Sequence, residues 1–243
     1  EVELCYLAQR VSEFDKYSPE VWCVVGNCFS LQKEHETALK FFQRAIQVDP
    51  EFTYAYTLCG HEFVANEDLE KAICMFRNAI QCDSRHYNAW FGIGSIYTKQ
   101  EKFALAEYHF RRALQINPQS SVLYCHLSLA LYENKKFDEA LGMLKLAAHL
   151  EPRNPQVWFQ RATILMSMDK NDEALQELLD VQAHSPKEAQ VYFWMGKVCK
   201  KLGRIDEALR YFTFALDLDP KDNTQIKNAL ERLEQADVEE ESF

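Results

Sequence analysis

Residues 18–50 read SPEVWCVVGNCFSLQKEHETALKFFQRAIQVDP, and their arrangement of aromatic, small and proline residues returns along the chain every 34 residues. An aromatic residue is the first landmark of each unit: Trp22, Tyr56, Trp90, Tyr124, Trp158 and Tyr192. A small residue follows after four positions: Gly26, Gly60, Gly94, Ser128, Ala162 and Gly196. Proline closes every unit except the second, where Ser84 takes its place. A register kept through six units without a gap predicts one structural unit repeated along the chain.

Within each unit, apolar residues recur at spacings of three and four, which predicts two antiparallel helices, A and B. Residues 26–32, GNCFSLQ, then form the second half of helix A and neither a turn nor a phosphate-binding loop. We expect Gly26 and Ala38 at the crossing of the two helices, where small side chains let the axes approach closely. Asp49 precedes Pro50 and should end helix B, because a residue before proline is pushed out of α geometry.

The period and the pattern resemble the tetratricopeptide repeat (TPR) family. This resemblance implies an all-α fold, a TPR solenoid in which antiparallel helix pairs form a right-handed superhelix. We expect helix B of a truncated repeat over residues 1–17, a capping helix over 223–235 and an acidic disordered tail over 236–243. Between them, six full repeats are predicted over residues 19–52, 53–86, 87–120, 121–154, 155–188 and 189–222. The half repeat at the start predicts a larger parent protein.

The charge of the chain argues against some classes of partner. The net charge of −10 over 243 residues argues against a uniform surface for binding nucleic acid, because such a surface needs an excess of Lys and Arg. One small basic group is interpreted as a solvated helix end: Lys197, Lys200, Lys201 and Arg204. No apolar run reaches the roughly 18–20 residues of a membrane span. We therefore expect neither a nucleic acid nor a membrane as a partner.

The chain carries no recognisable catalytic or metal motif. Its eight cysteines form no CxxC pair and no metal-ligand spacing with the seven histidines, which predicts free thiols in an intracellular protein. The motifs of phosphate loops, serine hydrolases and zinc proteases are missing. Acidic pairs such as Asp138-Glu139, Asp172-Glu173 and Asp206-Glu207 open helix B, where they offset the helix macrodipole. We predict no enzymatic activity, no metal and no cofactor, and an intracellular location.

Helix A lines the inner wall of such a superhelix, and its variable positions are where TPR proteins hold ligands. Helical spacing assigns to the wall the residues two before each aromatic landmark and one, two, five and eight after it. In the first three repeats these positions mix short polar and apolar side chains, which would suit a peptide end. The predicted peptide-binding residues are Glu20, Val24, Asn27, Ser30, Tyr54, Leu58, His61, Asn88, Phe91 and Ser95. For Asn27 alone, a hydrogen bond to a neighbouring helix explains the residue equally well.

Chaperone-tail TPR domains resemble this fold but hold a C-terminal carboxylate with a different set of side chains. They place a lysine at the position of Cys23, asparagines at Asn27 and Leu58, and basic residues at Asn88 and Gly92. Only Asn27 matches. Because the cations supply the charge-assisted bonds of that clamp, a co-chaperone function is disfavoured.

The residues of these repeats match a more specific pattern than that of TPR proteins in general. Together with residues 18–50, the stretches YAYTLCGHEF (54–63), RHYNAWFGIGSIYTKQEKFALAEYHF (85–110) and ALQINPQSSVL (113–123) resemble the cell division cycle protein 27 family. The similarity is to the C-terminal TPR superhelix of that family, the third subunit of the anaphase-promoting complex (cyclosome). It implies a non-catalytic scaffold of a ubiquitin ligase, with other subunits of the complex as partners. It also implies a homodimer of the full-length protein through N-terminal repeats that this chain lacks, and hence a monomeric fragment.

In that family the groove receives the C-terminal Ile-Arg tail of coactivators, and the resemblance implies the same ligand here. By this hypothesis Asn27 and Ser30 bind the terminal groups of the tail. The isoleucine is received by Val24, Leu58 and Phe91. Glu20 or a backbone carbonyl meets the arginine, while the remaining residues line the pocket: Tyr54, His61, Asn88 and Ser95.

Two alternatives stay open at this point. The chain could be a peptide-binding TPR adaptor of another complex, which would not lose binding when an Ile-Arg peptide is amidated. It could also be a TPR arm fused to a catalytic domain, as in some glycosyltransferases, although the acidic ending argues against a C-terminal fusion.

Overall fold

The computed structural model describes residues 2–15, 17–152, 154–184, 186–218, 224 and 226–230. The described residues contain thirteen named α-helices, a further helical segment at 226–230 and no strand, which confirms the all-α class for this part of the chain. The helices are α1 (Val2–Phe14), α2 (Pro19–Leu31), α3 (His35–Val48), α4 (Thr53–Ala65), α5 (Leu69–Cys82), α6 (Tyr87–Lys99), α7 (Phe103–Ile116), α8 (Ser121–Glu133), α9 (Phe137–Leu150), α10 (Pro155–Ser167), α11 (Asn171–His184), α12 (Ala189–Lys201) and α13 (Ile205–Leu218).

The chain divides into two compact units, Glu1–Asn134 and Lys135–Phe243. In unit 1, α2 packs on α3, α4 on α5 and α6 on α7, and each B helix also contacts the A helix that follows it. In unit 2, α10 packs on α11 and α12 on α13. The even-numbered helices from α2 to α12 are therefore the A helices, and they begin at steps of 34 residues. The limits of the repeats as domains stay a prediction.

Residues 26–31 lie in the second half of α2, as predicted, and Gln32 caps the helix. Gly26 is a packing glycine, because a Cβ atom added there would lie 2.4 Å from Cε1 of Phe42. The expected partner was Ala38, but the nearest atoms belong to the phenylalanine one helical turn later. Gly60, Gly94 and Gly196 repeat this contact with fully buried rings: Phe76, Phe110 and Phe212. The Phe42 ring therefore limits how close the two helices can come at Gly26.

Two residues after the end of each A helix, the chain passes through a residue in the left-handed backbone region, with φ between 58° and 73°. These residues recur at the repeat spacing: Lys33, Glu67, Glu101, Lys135, Asp169 and Gly203. In unit 1 the next amide donates to the carbonyl five residues back, as from Glu34 N to Phe29 O at 2.9 Å. This is the Schellman motif, which satisfies the last carbonyls of a helix and turns the chain sharply. Glycine, the residue that favours this conformation, stands only in the sixth turn.

In four of the six repeats the aromatic landmark donates a hydrogen bond to the residue that closes the preceding unit, whereas Trp22 Nε1 is buried without a partner among the described residues. Trp90 Nε1 donates to the Ser84 carbonyl at 3.1 Å, and Tyr56 Oη donates to the Pro50 carbonyl at 3.1 Å. Trp158 does the same to the Pro152 carbonyl at 3.2 Å. At these four landmarks the bond favours Trp and Tyr, which have a polar tip, over phenylalanine.

The ends of the helices agree with the sequence-based expectations where they are described. Helix α3 ends at Val48 and Asp49 is extended, with φ −136° and ψ 100°. The acidic pairs at 138–139, 172–173 and 206–207 lie in the first turns of α9, α11 and α13. Of the predicted capping helix, Thr224 and residues 226–230 are helical and Ile226 is buried. The rest of that helix and the predicted tail over 236–243 lie outside the described residues.

Candidate functional site

All ten predicted peptide-binding residues lie on α2, α4 and α6, the first three A helices of unit 1. Helix α2 contacts α4, and α4 contacts α6, whereas the described B helices of this unit make no comparable contacts with one another. The stack in unit 1 is therefore tighter on the side of the A helices. We call the part of α2, α4 and α6 that carries the ten residues the inner face.

Helix α2 brings four of the residues to the inner face. Asn27 is half-buried, and its side chain has no hydrogen-bond partner among the described residues. Val24 is also half-buried and lies one helical turn before Asn27. Glu20 is exposed and accepts a hydrogen bond from the Ser18 hydroxyl, which lowers the pKa of the Glu20 carboxyl. Ser30 Oγ donates to Glu62 Oε1 at 2.6 Å, so the one proton of this hydroxyl is already used.

Helix α4 supplies an exposed aromatic ring, an aliphatic side chain and an imidazole. Tyr54 is 45% exposed and meets Phe52 edge to face. Leu58 is half-buried and packs against the core of the first repeat. His61 reaches solvent, but its ring also lies edge-on against Phe76 at 5.2 Å, and desolvation lowers the pKa of the imidazole. At neutral pH, His61 therefore acts as a neutral hydrogen-bonding group.

Helix α6 supplies an amide, an aromatic ring and a hydroxyl. Asn88 is half-buried and has no side-chain hydrogen bond to a described residue. The ring of Phe91 is half-buried, 5.8 Å from Phe110 and 4.9 Å from His126. Ser95 Oγ is buried without a partner in the structure. A buried polar atom without a partner, such as Ser95 Oγ, carries an energetic cost that a bound ligand can remove, whereas the half-buried amides of Asn27 and Asn88 are not cut off from solvent.

The ten residues share a surface but do not bond to one another. No hydrogen bond, ion pair or ring contact joins any two of them in the described structure. Their side chains are held by other parts of the repeats, which leaves their outward atoms free to meet a ligand.

Five positions that helical spacing assigned to the inner wall are buried instead: Cys23, Thr57, Gly92, Cys125 and Phe159. Cys23 is 2% exposed, and Thr57 is 2% exposed with its hydroxyl 2.8 Å from His86 Nε2. Gly92 packs on Phe76, since an added Cβ would lie 2.5 Å from Cζ of that ring. The position one after the aromatic landmark belongs to the contact between helices in the first two repeats.

Glu62 is the polar residue of this region that the sequence-based assignment missed. Its carboxylate is 6% exposed and receives two hydrogen bonds, from Ser30 Oγ at 2.6 Å and from His35 Nδ1 at 2.7 Å. We call these three side chains the Glu62 cluster. The cluster joins α4 of the second repeat to α2 and α3 of the first.

The repeat register contained a signal for the Glu62 cluster. Equivalent positions in the other repeats carry small or apolar buried residues: Cys28, Ile96, Ala130, Ile164 and Val198. A carboxylate in such a column must have partners, because an unpaired buried charge is very costly. His35 departs from its own column in the same way, since most of its equivalents are apolar: Leu69, Phe103, Phe137 and Ile205.

The other ionisable groups of the described part are thiols with structural roles and scattered side chains that form no metal site. Burial raises the pKa of the Cys23 and Cys59 thiols to about 12, so both are protonated and act as apolar side chains. No group of three His, Cys, Asp or Glu side chains among the described residues could hold a metal ion. None of the described helices has both the length and the apolar character needed to cross a membrane.

The chain is similar to known proteins over its repeats. A tetratricopeptide repeat model matches residues 19–52, 87–120 and 189–222, and a second tetratricopeptide repeat model matches residues 131–195. The cell division cycle protein 27 homolog A of Arabidopsis thaliana is 63% identical over 59 residues, which are 24% of this chain and 8% of the relative. Anaphase-promoting complex subunit 3 of Dictyostelium discoideum is 61% identical over 54 residues, 22% of this chain and 6% of the relative.

A solved structure, that of the APC/C hetero-tetramer Cut9-Hcn1, superposes with a TM-score of 0.73. The superposition covers 95% of this chain and 46% of that one at 16% identity, so it shows a shared fold. The segment aligned with the two sequence relatives is less than a tenth of their length. The two repeat models together span well over half of the chain. The chain therefore belongs to the tetratricopeptide repeat family.

Proposed function

We propose that this chain is part of a non-catalytic scaffold subunit of the anaphase-promoting complex, and that its inner face binds the C-terminal Ile-Arg tail of coactivators. The first part rests on the high identity to relatives named cell division cycle protein 27 and anaphase-promoting complex subunit 3. Other subunits of the complex are then its partners, and the nucleus and cytoplasm its location. The full-length protein is expected to form a homodimer through repeats that this chain does not contain.

The observation that carries the second part is the state of Asn27. Its amide is half-buried on α2 with no described partner, beside the aliphatic side chain of Val24. An amide can donate two hydrogen bonds and accept others, so it can bind a terminal carboxylate with its nitrogen. Asn88 offers a second unpartnered amide on α6. Between these two helices, Leu58 on α4 supplies apolar surface for the isoleucine.

The hydrogen bonds of the inner face refine the roles of its hydroxyl and carboxylate groups. Because Ser30 donates its proton to Glu62, it can only accept from the tail, for example from a peptide N–H. The terminal carboxylate then falls to the amides of Asn27 and Asn88. Glu20 keeps free acceptor capacity beside its bond from Ser18, and a carboxylate with two oxygens suits a guanidinium.

Titration of a fluorescent peptide ending in Ile-Arg tests this proposal. We expect Asn27→Ala to weaken binding about tenfold or more, the loss of one hydrogen bond to a charged group. Gln81→Ala is the matched control, since Gln81 is an exposed amide on the B helix α5 and should not affect the affinity. Circular dichroism melting of both variants separates a binding effect from unfolding.

Three results would contradict parts of the proposal. Equal affinity of the wild type and Asn27→Ala would remove Asn27 from the site. Unchanged binding of an amidated Ile-Arg peptide would favour a general peptide adaptor of another complex. Failure of the tagged chain to recover other subunits of the anaphase-promoting complex from cell extract would contradict the assignment to that complex.

A further inference from the structure

The ammonium group of Lys197 lies over two aromatic rings of its own helix in unit 2. Its Nζ atom is 4.5 Å from the centroid of Phe193 and 4.4 Å from the centroid of Trp194. Both rings lie one helical turn before Lys197 on α12. A cation over the face of an aromatic ring is attracted by the negative charge of that face. The rings therefore hold the ammonium group at a defined place on α12.

The two rings are themselves fixed by packing on both sides. Trp194 stacks on Phe159 of α10 with a centroid distance of 6.3 Å and an interplanar angle of 19°. Phe193 packs on Phe212 of α13 at 5.8 Å. Helices α10 and α12 are successive A helices and contact each other. The platform under Lys197 thus joins two repeats and is built before any ligand arrives.

Lys197 has no counter-ion in the described structure. Its ammonium makes no hydrogen bond or ion pair with a described residue, and its side chain is half-buried. Burial lowers the pKa of the ammonium group, and a nearby carboxylate would offset this decrease. Lys201 differs, since its Nζ donates to the Met166 carbonyl at 2.9 Å. The sequence predicts a solvated helix end for the basic group of residues 197–204. In the structure, Lys197 and Lys201 are instead held by specific contacts.

We propose that the face of α12 around Lys197 binds an acidic peptide segment of a partner protein. A carboxylate of that segment pairs with Lys197, a neighbouring carboxylate meets the exposed Lys200, and an apolar side chain between them rests on Trp194. A half-buried cation without a counter-ion gains most from a charged partner, because the pair forms where water screens it little.

The charge of the whole chain favours a short acidic peptide over a nucleic acid. With a net charge of −10, the protein repels an extended polyanion, while a few carboxylates can reach a single basic place. This surface differs from the one proposed for coactivator tails in both helices and ligand. It lies on α12 of unit 2, and its ligand is acidic, whereas an Ile-Arg tail brings a cationic side chain.

Fluorescence anisotropy with a labelled peptide that has glutamates on both sides of one leucine tests the proposal. We expect binding that weakens at high salt and becomes about tenfold weaker in Lys197→Met, which keeps the apolar stem but removes the charge. Lys197→Arg should retain binding, because the charge and the stacking on the rings remain. Lys145→Met is the matched control, since Lys145 is exposed on α9 of the same unit.

The result that overturns the proposal is equal affinity of the wild type and Lys197→Met for this peptide. Equal binding of a peptide with glutamine in place of glutamate would also overturn it, because the recognition would not depend on charge. Binding of a single-stranded oligonucleotide that depends on Lys197, without binding of the acidic peptide, would assign the surface to nucleic acid instead. Melting curves of Lys197→Met confirm that the variant is folded.

Discussion

At the scale of single residues, the distance between the two helices of a repeat depends on one ring and one missing side chain. Phe42 is fully buried, and its Cδ1 and Cε1 atoms lie where a side chain at position 26 would begin. Real Cβ atoms do not approach other atoms to 2.4 Å, so the ring or the helix must move if one is added. Phe76 is more confined, since it lies between Gly60 of its own repeat and Gly92 of the next.

Gly26→Ala should lower the free energy of unfolding by about 1–3 kcal/mol, the usual cost of overpacking a filled core. Gly142→Ala is the matched control, because Gly142 lies in the interior of α9 and an added Cβ would meet nothing within 4 Å. In that open place alanine should stabilise the helix by about 0.5–1 kcal/mol. Urea denaturation followed by circular dichroism measures both. Shifts of the same sign in the two variants would show that backbone propensity, and not the contact with Phe42, decides the effect.

At the scale of helices, neighbouring repeats of unit 1 are joined by polar as well as apolar contacts. The Glu62 cluster connects three helices, and its carboxylate is too buried for water to replace its two hydrogen bonds. The columns of the repeat show apolar side chains at the same positions in most other junctions. The junction between the first and second repeats is thus chemically different from the others, and it lies under the inner face.

Glu62→Ala should destabilise the chain by about 1.5–3 kcal/mol, because it leaves the Ser30 hydroxyl and the His35 ring without their charged acceptor. In Glu70→Ala, the matched control, an exposed carboxylate of α5 is removed and no comparable change is expected. A double-mutant cycle with Ser30→Ala isolates the pair. A coupling energy above about 0.5 kcal/mol is expected for residues in contact, and strictly additive effects would contradict a direct role of this bond.

The helices could be predicted from the sequence because the same pattern of aromatic, small and apolar residues recurs in six repeats. The packing glycine at position 26 was predictable, but its partner was not, since Ala38 and Phe42 share one face of α3 and only coordinates distinguish them. The ten inner-face residues could be placed on their helices by spacing alone. Spacing could not predict that Ser30 is bonded to Glu62 while Asn27 has no described partner, because these states depend on residues of another repeat.

At the scale of the whole molecule, the substantial contacts among the described helices of each unit join neighbours or next-nearest neighbours along the chain. Within a unit, each repeat is therefore stabilised by its own two helices and by the repeats next to it. In such an architecture a defect need not spread through the entire chain. The two proposed binding surfaces, on α2–α6 and on α12, are consequently expected to respond separately to mutation.

Phe212→Ala provides the test, because the ring of Phe212 is fully buried between α12 and α13 and its loss should cost about 3–5 kcal/mol. Hydrogen exchange should then show faster exchange of the amides in α10–α13, with little change in α2–α5. The reciprocal variant Phe42→Ala removes the equivalent ring of the first repeat and should reverse the pattern. Local opening free energies in each helix report the result directly. A uniform loss of protection along the described helices in either variant would mean that the chain unfolds as one cooperative unit, and the two surfaces could then not respond separately.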